Sequence, residues 1–286
     1  MRYGVLADVH GNLHALEAVL AGLRAERVDG YLCAGDLVGY GPFPNECVAV
    51  VAGLESISVA GNHDLLALGR LPAADLVPLA RKSLEWTAGV LETEARAYLE
   101  RLPLRAEADT VVVAHGSLDD PREYTLRAEQ AARQLDRIAA DQPRATILLL
   151  GHTHLPWAWG RESGSLTIGA GGAVSLPAGE RVLLNPGSVG QSRERVVRAR
   201  FLVLDLDRRE AIFHAVPYDV AACREALRRV GLSPRSMHVP PSRLRRAARP
   251  LRRLTRRVRR LRTDRRCYRW ANGYLKVGRA RFDPGP

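Results

Sequence analysis

The sequence predicts an α/β body with two stacked sheets, followed by a basic tail. Three observations carry this. Between residues 3 and 151, short apolar runs alternate with longer amphipathic segments, the pattern of parallel strands joined by helices. Between 165 and 218 the helical spacing disappears, and short apolar runs are separated only by turn residues. Past residue 232 the charge changes abruptly. Residues 233–286 hold 18 Arg and Lys against 2 Asp and Glu, a net of +16, whereas residues 1–232 hold 25 against 29, a net of −4. Two domains are therefore expected, a body over 1–232 and an Arg-rich extension over 233–286.

The elements follow in order. "YGVLAD" (3–8) reads as a buried strand. Asn12 is a suitable N-cap for the next helix, in which Leu13, Leu16, Val19, Leu20 and Leu23 recur at helical spacing. "DGYLCAGD" (29–36) is a second strand, 45–54 a helix and "SISVAGN" (56–62) a third strand. Residues 78–102 read as one long helix or two shorter ones, stopped near Pro103. "TVVVAHG" (110–116) is a strand, 128–141 a helix and "ATILLLG" (145–151) a strand. Short strands are then expected at 165–172, 179–187, 198–207 and 210–218. In the tail, Leu251, Leu254, Val258 and Leu261 recur among arginines, which predicts a basic amphipathic helix from about Pro250 to Leu261.

Bulk properties narrow the classes. No apolar stretch approaches the ~18 residues of a membrane span. The opening "MRYGVLADVHG" reads as a strand and lacks the features of a signal peptide. Cys33, Cys47, Cys223 and Cys267 are scattered, without the spacing of a zinc cluster or a disulfide framework. A cytoplasmic protein is expected. The acidic balance of the body argues against nucleic-acid binding there, and leaves a nucleic acid or an anionic surface as a partner for the tail alone. Sequence does not fix the oligomeric state.

The chemistry sits where the strands end. The first ends in Asp8-Val9-His10, the second in Gly35-Asp36 and the third in Gly61-Asn62-His63-Asp64. The fourth ends in His115-Gly116 and the fifth in Gly151-His152-Thr153-His154. Any one of these has an ordinary reading as a turn, a helix cap or a half-buried histidine. Five successive strand ends carrying only Asp, Asn and His do not, because turns would also use Ser, Thr, Pro and Lys. In a parallel sheet that edge is where ligands bind. In extended backbone, residues i and i+2 face the same way, so Asp8 with His10, and His152 with His154, are expected to look into one cleft. Carboxylates, imidazoles and an amide without thiolate suit divalent Mn, Fe or Zn.

The ordered set D-x-H, G-D, G-N-H-D, H and G-H-x-H resembles the calcineurin-like metallophosphoesterase superfamily over residues 1–216. The companions "GDLVGYGPFPNEC" (35–47), "HGS" (115–117), "EY" (123–124) and "NPGSVGQ" (185–191) resemble its small prokaryotic phosphodiesterase-like branch. The resemblance implies a four-layer α/β/β/α sandwich. It implies two divalent ions, Mn first and Fe, Zn or Ni as alternatives. Asp8, His10 and His154 would hold the first ion, Asn62, His115 and His152 the second, and Asp36 both. A water between the ions would be the nucleophile, and His63 the general acid.

The sequence also departs from the protein Ser/Thr phosphatases of that superfamily. Their G-D-x-V-D-R-G is here Gly35-Asp36-Leu37-Val38-Gly39-Tyr40-Gly41, without the second Asp and without the Arg. The implied substrate is therefore a small or nucleotide-like phosphodiester or phosphomonoester rather than a phosphoprotein. Arg193, with Arg122 as the alternative, is the candidate to grip phosphate. Tyr40 either presents its hydroxyl to substrate or packs, and Asp64 is the one nearby carboxylate in sequence that could orient His63. Two competing readings are a nucleic-acid-associated phosphodiesterase or nuclease using the tail, and a non-catalytic scaffold. A complete ligand set weakens the scaffold.

Overall fold

The first βα unit sets the pattern for the rest. In β1 (Arg2–Leu6) successive side chains alternate between faces, so Val5 points into the space between the two sheets and Leu6 into the layer beneath the helices. Asn12 accepts a hydrogen bond from Ala15 N at 3.2 Å and starts α1 (Leu13–Ala25), whose Leu16, Val19 and Leu23 are fully buried. The computed structural model describes residues 1–74 and 76–240. The expected helix over 250–261 lies outside the described residues.

After α1 come β2 (Gly30–Cys33), α2 (Pro44–Gly53), β3 (Ile57–Ser58) and α3 (Asn62–Ala67). The region 78–102 forms two helices, α4 (Pro78–Val90) and α5 (Thr93–Arg101), separated by extended backbone at Leu91 and Glu92. β4 (Arg105–Ala108), β5 (Val111–Ala114), α6 (Ala128–Asp141) and β6 (Ile147–Leu149) follow. Then come β7 (Pro156–Gly160), β8 (Gly164–Ser165), β9 (Ala173–Ser175), β10 (Val182–Pro186), β11 (Ala199–Asp205), β12 (Glu210–Val216) and α7 (Val220–Arg229).

Two six-stranded mixed sheets result, ordered β3-β2-β1-β11-β12-β9 and β4-β5-β6-β10-β7-β8. β1, β2 and β3 run parallel in the first, and β5, β6 and β10 in the second. Alternation fixes the layers. Val113, Leu149, Leu184 and Leu202 fill the space between the sheets. Phe201 and Val203 face α1 and α2, while Val112, Leu148 and Leu183 face α6. This is the four-layer α/β/β/α sandwich. Each such buried aliphatic side chain contributes roughly 1.5–3 kcal/mol by leaving water.

Several expectations need correction. The strand expected over 56–62 is two residues long, because Gly61 caps α3 and turns the following Asn62-His63-Asp64 into a first helical turn. The strand expected over 165–172 is instead the end of β8 and a short 3₁₀ turn, where three glycines within four residues disfavour a ladder. β4, β7 and α7 have no counterpart in the sequence reading. The body also continues past residue 232: a 3₁₀ turn at Pro234–Met237 buries Met237 against α7, and the described unit runs from Met1 to Pro240.

Candidate metal centre

The candidate residues leave the strands through left-handed backbone. β1 stops at Leu6 and β6 at Leu149, so neither Asp8-Val9-His10 nor His152-Thr153-His154 is extended strand. Asp8, His10, His152 and His154 instead have φ of 56°, 52°, 64° and 60°. The side chains of each pair do enter one cleft, through turns at i and i+2 rather than through strand alternation. Asp36 and Tyr40 share this conformation, at 57° and 62°. Left-handed non-glycine residues are individually unfavourable and concentrate where function holds them. Main-chain bonds enforce the turns: Asp8 N donates to Gly35 O at 2.9 Å, and His10 N to Asp36 O at 2.9 Å.

Two groups form where the carboxyl ends of the parallel strands converge. Asp8, His10, Asp36 and His154 make one, and Asp36, His115 and His152 the other. Asp36 belongs to both. Its Oδ1 accepts from His63 N at 2.7 Å. Its Oδ2 is buried without a hydrogen-bond partner, 3.6 Å from His10 Nε2 and 3.2 Å from His115 Nε2. Asn62 Oδ1 lies 3.0 Å from His115 Nε2. Glycine is required at position 61, since a Cβ there would stand 2.1 Å from Asp36 Oδ1.

Ring orientation suits the imidazoles to metal binding. Nδ1 of His10, His115 and His154 lies on Val38 O (3.1 Å), Ala34 O (2.6 Å) and Gln191 O (2.8 Å). Each carbonyl fixes one N–H and turns Nε2 toward the cluster. His152 is reversed, with Nε2 3.1 Å from Arg122 O, which leaves Nδ1. Metal-ligating histidines are held in this way. His10 Nε2 and His154 Nε2 are 3.2 Å apart. With both Nδ1 protons on carbonyls, two lone pairs face each other there, an arrangement that suits a cation.

Electrostatics agrees. Burial pushes His10 down to about 3 and lowers His152 and His154 well below the usual imidazole range, so all three are neutral donors. Burial likewise opposes charge on His115, but the adjacent Asp36 carboxylate outweighs it and lifts His115 to about 9. Burial raises Asp8 to about 7. A proton on His115 or Asp8 thus balances the buried carboxylate charge that a cation would otherwise balance. These buried Asp and His groups suit a divalent metal.

The remaining candidates are arranged less tightly. His63, on the first turn of α3, packs its ring 4.6 Å from Tyr40 and 4.8 Å from His10, and its buried Nδ1 has no partner. Asp64 does not orient it. The Asp64 carboxylate instead accepts from Asp36 N (2.9 Å), Gly61 N (2.8 Å) and Val38 N (3.1 Å). Arg193 reaches the site, with Nη2 3.4 Å from His154 Nε2 and Nη1 3.3 Å from Tyr124 Oη. The Arg122 side chain turns to Asp120 at the surface. Two contributors were not among the sequence candidates. Tyr124 lies ring to ring against His152 at 4.0 Å, and Gln191 supplies the carbonyl under His154. Both fall inside the companion stretches 123–124 and 185–191, which was the available signal.

Comparison with known proteins places this geometry. The model of the calcineurin-like phosphoesterase superfamily domain matches residues 1–209. An uncharacterized protein of Methanocaldococcus jannaschii is 31% identical over 229 residues, covering 78% of this chain and 90% of the relative. A metallophosphoesterase from Sphaerobacter thermophilus is 36% identical, with a TM-score of 0.71 over 83% of this chain and 97% of that one. A hypothetical protein from Pyrococcus horikoshii, 21% identical, shares the fold at a TM-score of 0.67, covering 82% of this chain and 96% of that one.

Proposed function

The chain belongs to the calcineurin-like phosphoesterase superfamily, and we propose that it hydrolyses a small or nucleotide-like phosphodiester or phosphomonoester with two divalent ions. The observation that carries this reading is Asp36: one buried carboxylate, shared by both groups, with an unpartnered oxygen between His10 Nε2 and His115 Nε2. Asp8, His10 and His154 would complete the first site, and Asn62, His115 and His152 the second. Mn is the first choice, with Fe, Zn or Ni as alternatives for the same imidazole and oxygen donors. When bound, such a pair supplies Lewis acidity and lowers the pKa of a shared water.

The chain's own residues do the rest. The main-chain carbonyls hold four imidazoles in the donor tautomer. His63, packed between Tyr40 and His10, protonates the leaving oxygen. Arg193 neutralises charge on the phosphoryl oxygens, and Tyr40 lines the leaving-group side. Free, buried thiols at Cys33, Cys47 and Cys223 support a reducing, cytoplasmic setting. Among the described residues no helix is long and apolar enough to cross a membrane.

The test is hydrolysis of bis(4-nitrophenyl) phosphate by the Mn-loaded protein, followed by chelation and re-addition. Turnover that chelation leaves untouched would remove the metal from the mechanism. The +16 net charge of residues 233–286 supports a second, additive role, attachment of a polyanion by the extension. Replacing Arg252, Arg253, Arg256 and Arg257 by Ala in the full chain should weaken single-stranded DNA binding and flatten its salt dependence, with aryl-ester hydrolysis retained.

A further inference from the structure

One part of the body has no role in the reading above. After α7 the chain does not leave the molecule but returns to pack against Tyr40, Gln191 and Ser192 beside the site. Ser236 Oγ lies 3.0 Å from Tyr40 O, with Ser233 O at 2.8 Å as its alternative acceptor. The Ser236 carbonyl accepts from Gln191 Nε2 at 2.7 Å. Ser192 N donates to Met237 O at 3.1 Å and Val239 N to Ser192 O at 3.0 Å, a short parallel bridge between the two segments. Gln191, Ser236 and Met237 are each at most 2% exposed.

Gln191 stands at the crossing. Its carbonyl receives His154 Nδ1 at 2.8 Å, and its side-chain Oε1 accepts from Arg193 Nε at 3.4 Å. Its own N–H donates to Ser188 Oγ at 2.9 Å, and that hydroxyl reaches Asp8 O at 3.0 Å. The side-chain amide therefore has one end on the returning segment and the other on the guanidinium. An uncharged bridge suits this place, since it can donate to a carbonyl and accept from an Arg at once.

We propose that residues 233–239 are a strap that sets the position of the phosphate-gripping Arg193, and that Gln191 is the positioning residue through which the strap acts. The strap also contacts Tyr40 at its carbonyl, so Tyr40 and Arg193 are both referenced to one buried turn. Met237 anchors that turn in a small apolar cluster with Cys223, Leu227 and Leu232. The inference rests on the proposed role of Arg193.

The test is a double-mutant cycle in the full Mn-loaded chain, with bis(4-nitrophenyl) phosphate as substrate. Arg193→Ala should raise KM by roughly tenfold, as expected for one lost charge-assisted contact. Gln191→Ala should raise KM by about half that factor, with kcat within about twofold, and should add nothing to Arg193→Ala. Gln191→Asn keeps the amide but is one methylene too short for Ser236, and should act in the same direction should the alanine variant fold poorly. An additive double mutant, or a Gln191→Asn protein with an unchanged KM beside an impaired Arg193→Ala, would overturn the strap alone. An unchanged KM in Arg193→Ala would overturn the grip and the strap together.

Discussion

The proposed metal side and the proposed substrate side of this site are built on opposite plans. On the metal side each of four imidazoles has one nitrogen on a main-chain carbonyl, and the carboxylates are fully buried. On the substrate side His63 Nδ1 has no partner, Tyr124 is 40% exposed, and Arg193 is held by contacts of 3.3–3.4 Å. Small ions have no shape to adapt to, so their donors must be fixed in advance. A substrate brings its own contacts, and groups that adjust can follow it. The fold therefore specifies the reaction more firmly than it specifies the substrate.

The largest effect should come from the residue common to both groups. Asp36→Asn removes the shared charge while keeping size, and should cost on the order of a thousandfold in hydrolysis with loss of both ions. Metal analysis showing two retained ions would break the contrast at its centre. His154→Ala and His152→Ala sharpen it further. The first should deplete the group of Asp8 and His10, the second the group of His115, with activity down by about a hundredfold or more in each. Spectroscopic titration with Co(II) distinguishes the two sites.

His63 belongs to the looser side. His63→Gln should lower kcat by about a hundredfold, the usual worth of a positioned general acid, with both ions retained. Loss of metal in this variant would move His63 to the other side of the comparison. A smaller effect concerns pH. The proton carried by Asp8 near its pKa of about 7, and by His115 near about 9, must leave before an ion binds. Apparent Mn affinity should therefore rise with pH, by up to about tenfold per unit for each proton displaced. Calorimetry in buffers of different ionisation heat should register proton release. Affinity flat between pH 6 and 8 would contradict this.

The same division explains what could be read from the sequence. That Asp8, His10, Asp36, Asn62, His115, His152 and His154 come together was legible because they stand in short, ordered motifs just past the ends of neighbouring parallel strands. The two stacked sheets followed from the switch between helical spacing and short apolar runs, and the four layers from the family resemblance. What orients His63 was not legible, because the adjacency of Asp64 in sequence says nothing about a side chain that turns back to cap its own loop. Gln191 and Tyr124 were missed because their contacts span tens of residues and leave no local spacing. The strap after α7 was hidden by the arginine-rich composition that begins just beyond it.

Arg122 gives the finest test, because it places both plans in one residue. Its carbonyl holds His152 Nε2 at 3.1 Å, which is metal-side architecture. Its side chain, 46% exposed, pairs with Asp120 at the surface, where such a pair is worth about 0–1 kcal/mol. Arg122→Ala keeps the carbonyl and discards only the charge. It should leave kcat and KM within about twofold and both ions in place. Arg122→Pro is different in kind: it removes the N–H that bonds Asp120 and restricts the loop, so the carbonyl beneath His152 shifts. That variant should lose the His115-side ion first. Should the alanine variant instead raise KM as Arg193→Ala does, the phosphate grip would belong to Arg122, and the substrate side would be drawn around the wrong arginine.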